Sequence, residues 1–420
     1  MVINNIILLY VTLLMLLSQT EFSKFTIFFT IPLLLTLIIR NPRMNSFSYR
    51  KIMPLNIIIF LGFLSVIVNL YEYDPNYIVK DIFYFIQAPI YITLGILLYE
   101  EIKDYKKILK ITVLSSLAVT LYISIDLILI PDIISSFGFR SRYEYTLSNS
   151  ATLITFFILF YSRKFKFKLF NGKIELLIMT LSLLSVLISF SRITYVTFLL
   201  MLLIPYIGKS QIILKGYLAL VIAICFLIFG GLLMEEKTQG GGGQGPDFQS
   251  KIMHSLDEIM VRNYDNIVEI TNNWRGYEAN LGLQKYYKSS PIELFFGQGY
   301  GAVVQTPYWV FGDAKNGLGV LPMFHNGYIT ILLKVGLFGL FLFFMWLYIL
   351  LNAGARIVKI ANTPQQKIMG TFLQAGVFTI IFQTLVIHGI FQTVAPMMLL
   401  FLIGVSLQGI NTKRVRLKTK

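Results

Sequence analysis

The chain has 420 residues, 56% of them hydrophobic and only 14% charged, with a mean hydropathy of +0.70. Soluble globular domains carry about a quarter charged residues, so that class is excluded and a polytopic helical membrane protein is expected. The net charge of +15 needs placing along the chain, and the single cysteine, Cys225, excludes an intramolecular disulfide, Cys-rich zinc sites and iron–sulfur ligation.

Taken from the N-terminus, the apolar stretch at 3–18 lacks a basic leader region and a small-residue cleavage site, and reads as a retained helix rather than a signal peptide. Apolar segments follow at 25–39, 54–71, 82–99, 108–130, 148–162, 174–190, 193–208, 216–234, 326–349, 369–387 and 390–407. That makes about twelve spans able to cross a hydrocarbon core of ~30 Å. The basic stretches "RNPRMNSFSYRK" (40–51), "KDYKKILK" (103–110), "RKFKFKLFNGK" (163–173) and "KRVRLKTK" (413–420) fall in alternate connections or in the tail. The positive-inside bias puts them, and both termini, in the cytoplasm. The basic balance then reads as anchoring beside anionic lipid, with no nucleic-acid partner.

The expected fold is therefore all-α and polytopic: helices one to nine over 1–234, a large extracytoplasmic loop over 235–324, and helices ten to twelve with a basic tail over 325–420. Within the loop, "EEKTQGGGGQGPD" (235–247) reads as a flexible linker. The spacing of Phe248, Ile252, Met253, Leu256, Ile259 and Met260 predicts an amphipathic surface helix over 248–270. A second helical stretch, "NNWRGYEANLGLQKYYKSS", follows, and "GQGYGA" (297–302) reads as a tight turn against the membrane. No internal repeat divides the spans into matched halves.

Motifs for nucleotide or metal chemistry are missing from the sequence: there is no P-loop, no His-Glu-x-x-His and no Asp-x-Asp. No metal and no cofactor is expected. What remains is a set of cationic groups at the outer face, against the positive-inside bias: Arg192 in the short turn "SFSRITY", Arg275 in "NNWRGYEA", Arg140 and Arg142 in "GFRSRYEYTLSNS", and His325 at the mouth of span ten. Each also has a plain reading. Arg140 and Arg142 could reach lipid headgroups, Arg275 could pair with Glu278, and His325 could be an interfacial helix residue. His254 and His388 read as without chemical role. Together, however, several arginines suit a diphosphate, held without a metal, and a histidine suits the general base for an attacking hydroxyl. Away from the span ends, Asp126 and Lys334 are the two charges inside spans, and an intramembrane ion pair between them is the hypothesis.

The ordered set "SFSRITYVTFLL", a Trp-Arg segment (Trp274, Arg275) in one large loop, "LFFGQGYG" and "FHNGYITILLKVGLFGL" resembles the O-antigen ligase and O-antigen polymerase superfamily of bacterial polysaccharide assembly. The resemblance covers residues 191–340, and the span count extends it to the whole chain. It implies metal-independent, inverting glycosyl transfer from an undecaprenyl-diphosphate-linked glycan. Arg192 and Arg275, with Arg140 and Arg142, would hold the diphosphate, and His325, supported by Asn326, would act in catalysis. Asn149 alone matches the Asn-rich stretch that follows the outer arginine in polymerases. The expected protein is a polysaccharide polymerase of the bacterial inner membrane, its site facing outward. Its partners would be lipid-linked donor and acceptor, membrane lipid and a chain-length regulator. The ligase that hands the glycan to lipid A–core or protein, and a lipid-linked oligosaccharide flippase, are the alternatives. Gene order beside glycosyltransferases and a flippase would favour the polymerase.

Overall fold

The computed structural model describes residues 2–19, 25–41, 46–68, 72–129, 149–188, 192–207, 215–220, 264, 267–306, 319–391 and 396–418. Among them the helices are α1 (Val2–Leu17), α2 (Thr26–Arg40), α3 (Ser46–Arg50), α4 (Met53–Val68), α5 (Pro75–Ile102), α6 (Tyr105–Leu129), α7 (Asn149–Lys164), α8 (Gly172–Ile188) and α9 (Arg192–Ile207). After these come α10 (Ile267–Asn272), α11 (Trp274–Tyr287), α12 (Pro291–Phe296), α13 (Gly327–Ile360), α14 (Pro364–Val386) and α15 (Met397–Lys418). A two-stranded antiparallel hairpin, β1 (Val304–Thr306) with β2 (Gly319–Leu321), pairs Val304 with Leu321 and Thr306 with Gly319. The all-helical expectation did not include it.

Three described helices, α5, α13 and α14, are long and apolar enough to cross a membrane, and five shorter apolar helices accompany them. The bundle is apolar outside as well as inside, in the manner of a lipid-solvated protein. α14 is apolar nearly all round and buried, whereas Phe28, Leu35, Ile39, Leu64, Leu177, Leu187 and Leu203 on outer helices stand exposed. α15 crosses α5 at a point where a Cβ on Gly95 would meet the Phe401 carbonyl and one on Gly404 would meet the Ile92 carbonyl. Small residues there let two backbones touch, the usual solution where lipid supplies no hydrophobic drive between helices.

Two elements begin seven residues from where their apolar runs predicted. α5 starts at Pro75 rather than at 82, because Asp74 caps it by accepting from the Asn76 N–H at 2.8 Å and Pro75 takes the first turn. Asp81 thereby lies two turns inside a helix. α15 starts at Met397 rather than at 390, because His388 and Gly389 both adopt positive φ and hold 387–391 as a turn. The amphipathic helix expected over 248–270 lies almost wholly outside the described residues, as does most of the ninth span; residues 215–220 and α10 are helical.

α13 is broken within its apolar run. Gly336 has φ 71° and ψ −171°, so the carbonyls of Leu333 and Lys334 lose their helical partners. Segment 297–302 fills the gap: the Gln298 N–H donates to the Leu333 carbonyl at 2.8 Å and the Gly299 N–H to the Lys334 carbonyl at 3.1 Å. Gly297, Gly299 and Gly301 all have positive φ, and a Cβ on Gly297 would lie 2.3 Å from the Val335 nitrogen. Alternate glycines here let a loop backbone stand in for a turn of helix.

Candidate functional site

The site is built at the start of α13, where three pieces of chain meet. Asn326 caps the helix, its Oδ1 accepting from the Tyr328 N–H at 3.1 Å, and the Thr330 hydroxyl accepts from the Phe324 N–H at 3.2 Å. These two bonds fix the backbone of residue 325. α11 lies across this end of α13, with Gly282 against Ile329 and Phe324. The same face of α11 presents Glu278, one turn earlier.

Glu278 is the decisive neighbour. Its Oε2 accepts from His325 twice, from ring Nδ1 at 2.6 Å and from the backbone N–H at 3.2 Å. The carboxylate is 4% exposed and the imidazole 36% exposed, so the pair has a dry side and an accessible side. Toward an ionised carboxylate, which can only accept, Nδ1 is the donating nitrogen, and in a neutral ring of that tautomer Nε2 keeps a lone pair.

His388 completes the cluster. Its ring stacks on that of His325, with centres 4.9 Å apart and 28° between planes. Its Nδ1 donates to the Phe324 carbonyl, and its backbone N–H donates to the His325 carbonyl at 2.6 Å. Burial, helped by the charges of His325 and Arg275 and opposed by the Phe324 bond and Glu278, pushes His388 down to about 4. It is therefore neutral around pH 7. Gly327 is what lets this turn approach: a Cβ there would lie 2.6 Å from the His388 carbonyl.

Of the residues singled out in the sequence, His325, Asn326 and Arg275 converge. Arg275 lies three residues before Glu278 on α11, half-buried, and its charge is felt at His388. The Glu278 carboxylate, which the plain reading offered to Arg275, turns toward α13 and pairs with His325. Trp274 packs rather than lines the site, its ring 5.6 Å from that of Tyr277 in a cluster with Tyr264 and Ile270. Arg192 opens α9 and Asn149 opens α7, but their side chains lie outside the described residues, as do Arg140 and Arg142 entirely.

Lys334 is fully buried and ion-paired, but its partner is Asp81 of α5, not Asp126. The reason is the earlier start of α5, which brings Asp81 to the depth of the break in α13. Asp126 is within α6, and its side chain is outside the described residues. The Ala302 carbonyl also accepts from Lys334 Nζ, and the Gly301 N–H donates to Asp81 Oδ2 at 2.8 Å.

Sequence reasoning missed Glu278 as the histidine partner, His388 as its platform and Asp81 as the lysine partner. The Asp74-Pro75 cap was a readable signal for Asp81; the histidine stack had none. Among the described residues no group of three or more His, Cys, Asp or Glu is placed to hold a metal ion. No family model matches the chain, and no curated protein matches it.

Proposed function

We propose that this chain is a membrane glycosyltransferase that joins glycans carried on a polyprenyl diphosphate, most simply a polysaccharide polymerase. The observation that carries the reading is the Glu278–His325 pair at the mouth of a membrane helix, with a guanidinium one turn along the same face of α11. In the reaction, an acceptor-sugar hydroxyl attacks the anomeric carbon of the donor from the face opposite the diphosphate. The new C–O bond forms as the bond to the diphosphate oxygen breaks, and the electron pair leaves with the diphosphate. The hydroxyl proton passes to His325 Nε2, and Glu278 stabilises the resulting imidazolium. Arg275, with Arg192 and the two arginines at 140 and 142, would balance the departing charge in place of a metal. The inverted configuration follows from a single displacement.

The setting supports a lipid-borne donor. α12 exposes Ile292, Phe295 and Phe296 beside Phe338 of α13, so the segment that precedes the helix break continues the lipid-facing surface. The alternate placement of basic stretches supports an arrangement of about twelve spans, with cytoplasmic termini and the site on the outer side of a bacterial inner membrane. The ordered motifs shared with the ligase and polymerase superfamily point the same way.

The test is gel laddering of the surface glycan in a deletion strain complemented with wild type or His325→Ala at equal membrane abundance. Single repeat units on the anchor, in place of a ladder, are the expected result. Long chains stranded on the polyprenyl diphosphate would make the protein the ligase. An unchanged ladder would sink the assignment of His325 as base and return the flippase reading.

A further inference from the structure

The buried Asp81–Lys334 pair is too expensive a feature to leave as packing: intramembrane charges are retained where they act. Its surroundings form a closed path that leaves α13 at Lys334 and returns to the same helix at His325. Lys334 holds Ala302, and Gly301 holds Asp81. The next residue, Val303, accepts from Lys285 Nζ of α11 at 2.5 Å, and Thr306 in β1 shares a hydrogen bond of 3.0 Å with the Tyr277 hydroxyl, also of α11. Tyr277 adjoins Glu278, which grips His325. Burial, then the charge of Lys334, lowers the Lys285 ammonium below its usual range, as expected of two cations set in one field.

We propose that Lys285, Tyr277 and the Asp81–Lys334 pair are positioning residues, which hold α11 at the height where Glu278 meets His325 Nδ1. The argument is geometric. α11 is a short helix at the end of the bundle, and Gly282 offers no side chain to set its height. The contacts through Val303 and Thr306 supply that setting, and they are anchored in the break in α13 filled by 297–302. This deepens the proposed function, since it names what aims the base, but it is tested without reference to glycan transfer.

The experiment uses the purified full chain in lipid nanodiscs and diethyl pyrocarbonate as probe. The rate of carbethoxylation of His325 is read by peptide mass spectrometry at alkaline pH, where imidazole is unprotonated. Among the described residues His325 meets Glu278 from α11 and His388 from the turn after α14, with the charge of Arg275 felt at His388, so Glu278→Gln isolates the carboxylate's share. In the wild-type background Glu278→Gln slows the reaction about tenfold, the share of one charge-assisted hydrogen bond. In the Lys285→Met and Tyr277→Phe backgrounds the same substitution slows it only about twofold, because the contact has already been loosened. Lys285→Arg, which keeps a donor for Val303, restores the full factor, which a merely structural contribution would not do.

Asp81→Asn with Lys334→Met is the severe form of the test; if that protein does not fold, the two milder backgrounds decide. A tenfold Glu278 factor persisting in both would overturn the proposal. Should the factor collapse while His325→Ala leaves the glycan ladder intact, the positioning path stands and the transfer reading falls.

Discussion

His388 lies flat against His325, ring on ring at 4.9 Å, and takes hold of the backbone on both sides of that contact through Phe324 and His325. Two imidazoles so close resist double protonation. His388 is the one kept neutral, by burial first and by the neighbouring charges second. His325, for its part, holds the Glu278 carboxylate through its own Nδ1.

The suppressed His388 imidazole has a consequence for stability. Its folded pKa lies at about 4, below the ordinary 6.5, so the folded state favours the neutral ring. Above pH 6.5 both folded and unfolded chains hold it neutral and the full stability is present. As pH falls from 6.5 toward 4 the unfolded chain takes up a proton that the folded chain refuses, and stability is lost. The loss amounts to about 3 kcal/mol at most. His388→Gln keeps an N–H donor for the Phe324 carbonyl without titrating. Its unfolding midpoint, followed by differential scanning fluorimetry across that range, should fall less steeply than that of the wild type. Parallel slopes would remove His388 from the account.

Glu278→Gln replaces an acceptor that fixes the Nδ1–H tautomer with an amide that also donates, and removes the charge opposite the imidazolium. If His325 is the base, glycan transfer should drop by about 10² while the protein remains folded, a part of what general-base catalysis contributes. Repeat-unit transfer in proteoliposomes, at matched protein, gives the number. Activity within about threefold of wild type would show that the carboxylate only packs.

How much of this was legible in the sequence follows from the kind of signal each part leaves. Helices α1, α2 and α4 to α9 announce themselves as apolar runs because lipid demands them; α3, within the basic connection 40–51, does not. The helix mouth was legible too, since the apolar run begins directly behind His325; the cap by Asn326 and the close approach at Gly327 emerge only in the fold. The break at Gly336 was hidden, because "KVGLFGL" stays apolar straight through it and the compensating donors come from Gln298 and Gly299. Glu278 was visible but unassigned: three residues from Arg275 it offers at most a local ion pair, and only the packing of α11 on α13 turns it to a histidine 47 residues away. His388 belongs to a turn whose role comes wholly from tertiary contact.

Lys334→Met should destabilise the protein by about 3–5 kcal/mol, because it leaves the Asp81 carboxylate buried without its partner. Asp81→Asn with Lys334→Met removes both charges, and the double variant should be less destabilised than the sum of the singles. Asp126→Asn combined with Lys334→Met should instead be additive if those two do not meet. Thermal unfolding of the wild type and the five variants in one detergent completes both cycles. Strict additivity for the Asp81 pair would contradict the ion pair.

Gly327→Ala tests the mouth of the helix by sign alone. Alanine is the better helix former by about 0.8–1 kcal/mol, so propensity predicts a gain in stability. The structure predicts the reverse, because the added Cβ would meet the His388 carbonyl at 2.6 Å and must push the turn away. That turn carries the ring stacked on His325, so the displacement reaches the site as well as the fold. Lower stability with a loss of transfer activity is the expected pair of results. A stabilised, fully active Gly327→Ala would mean that the turn holding His388 does not rest on α13.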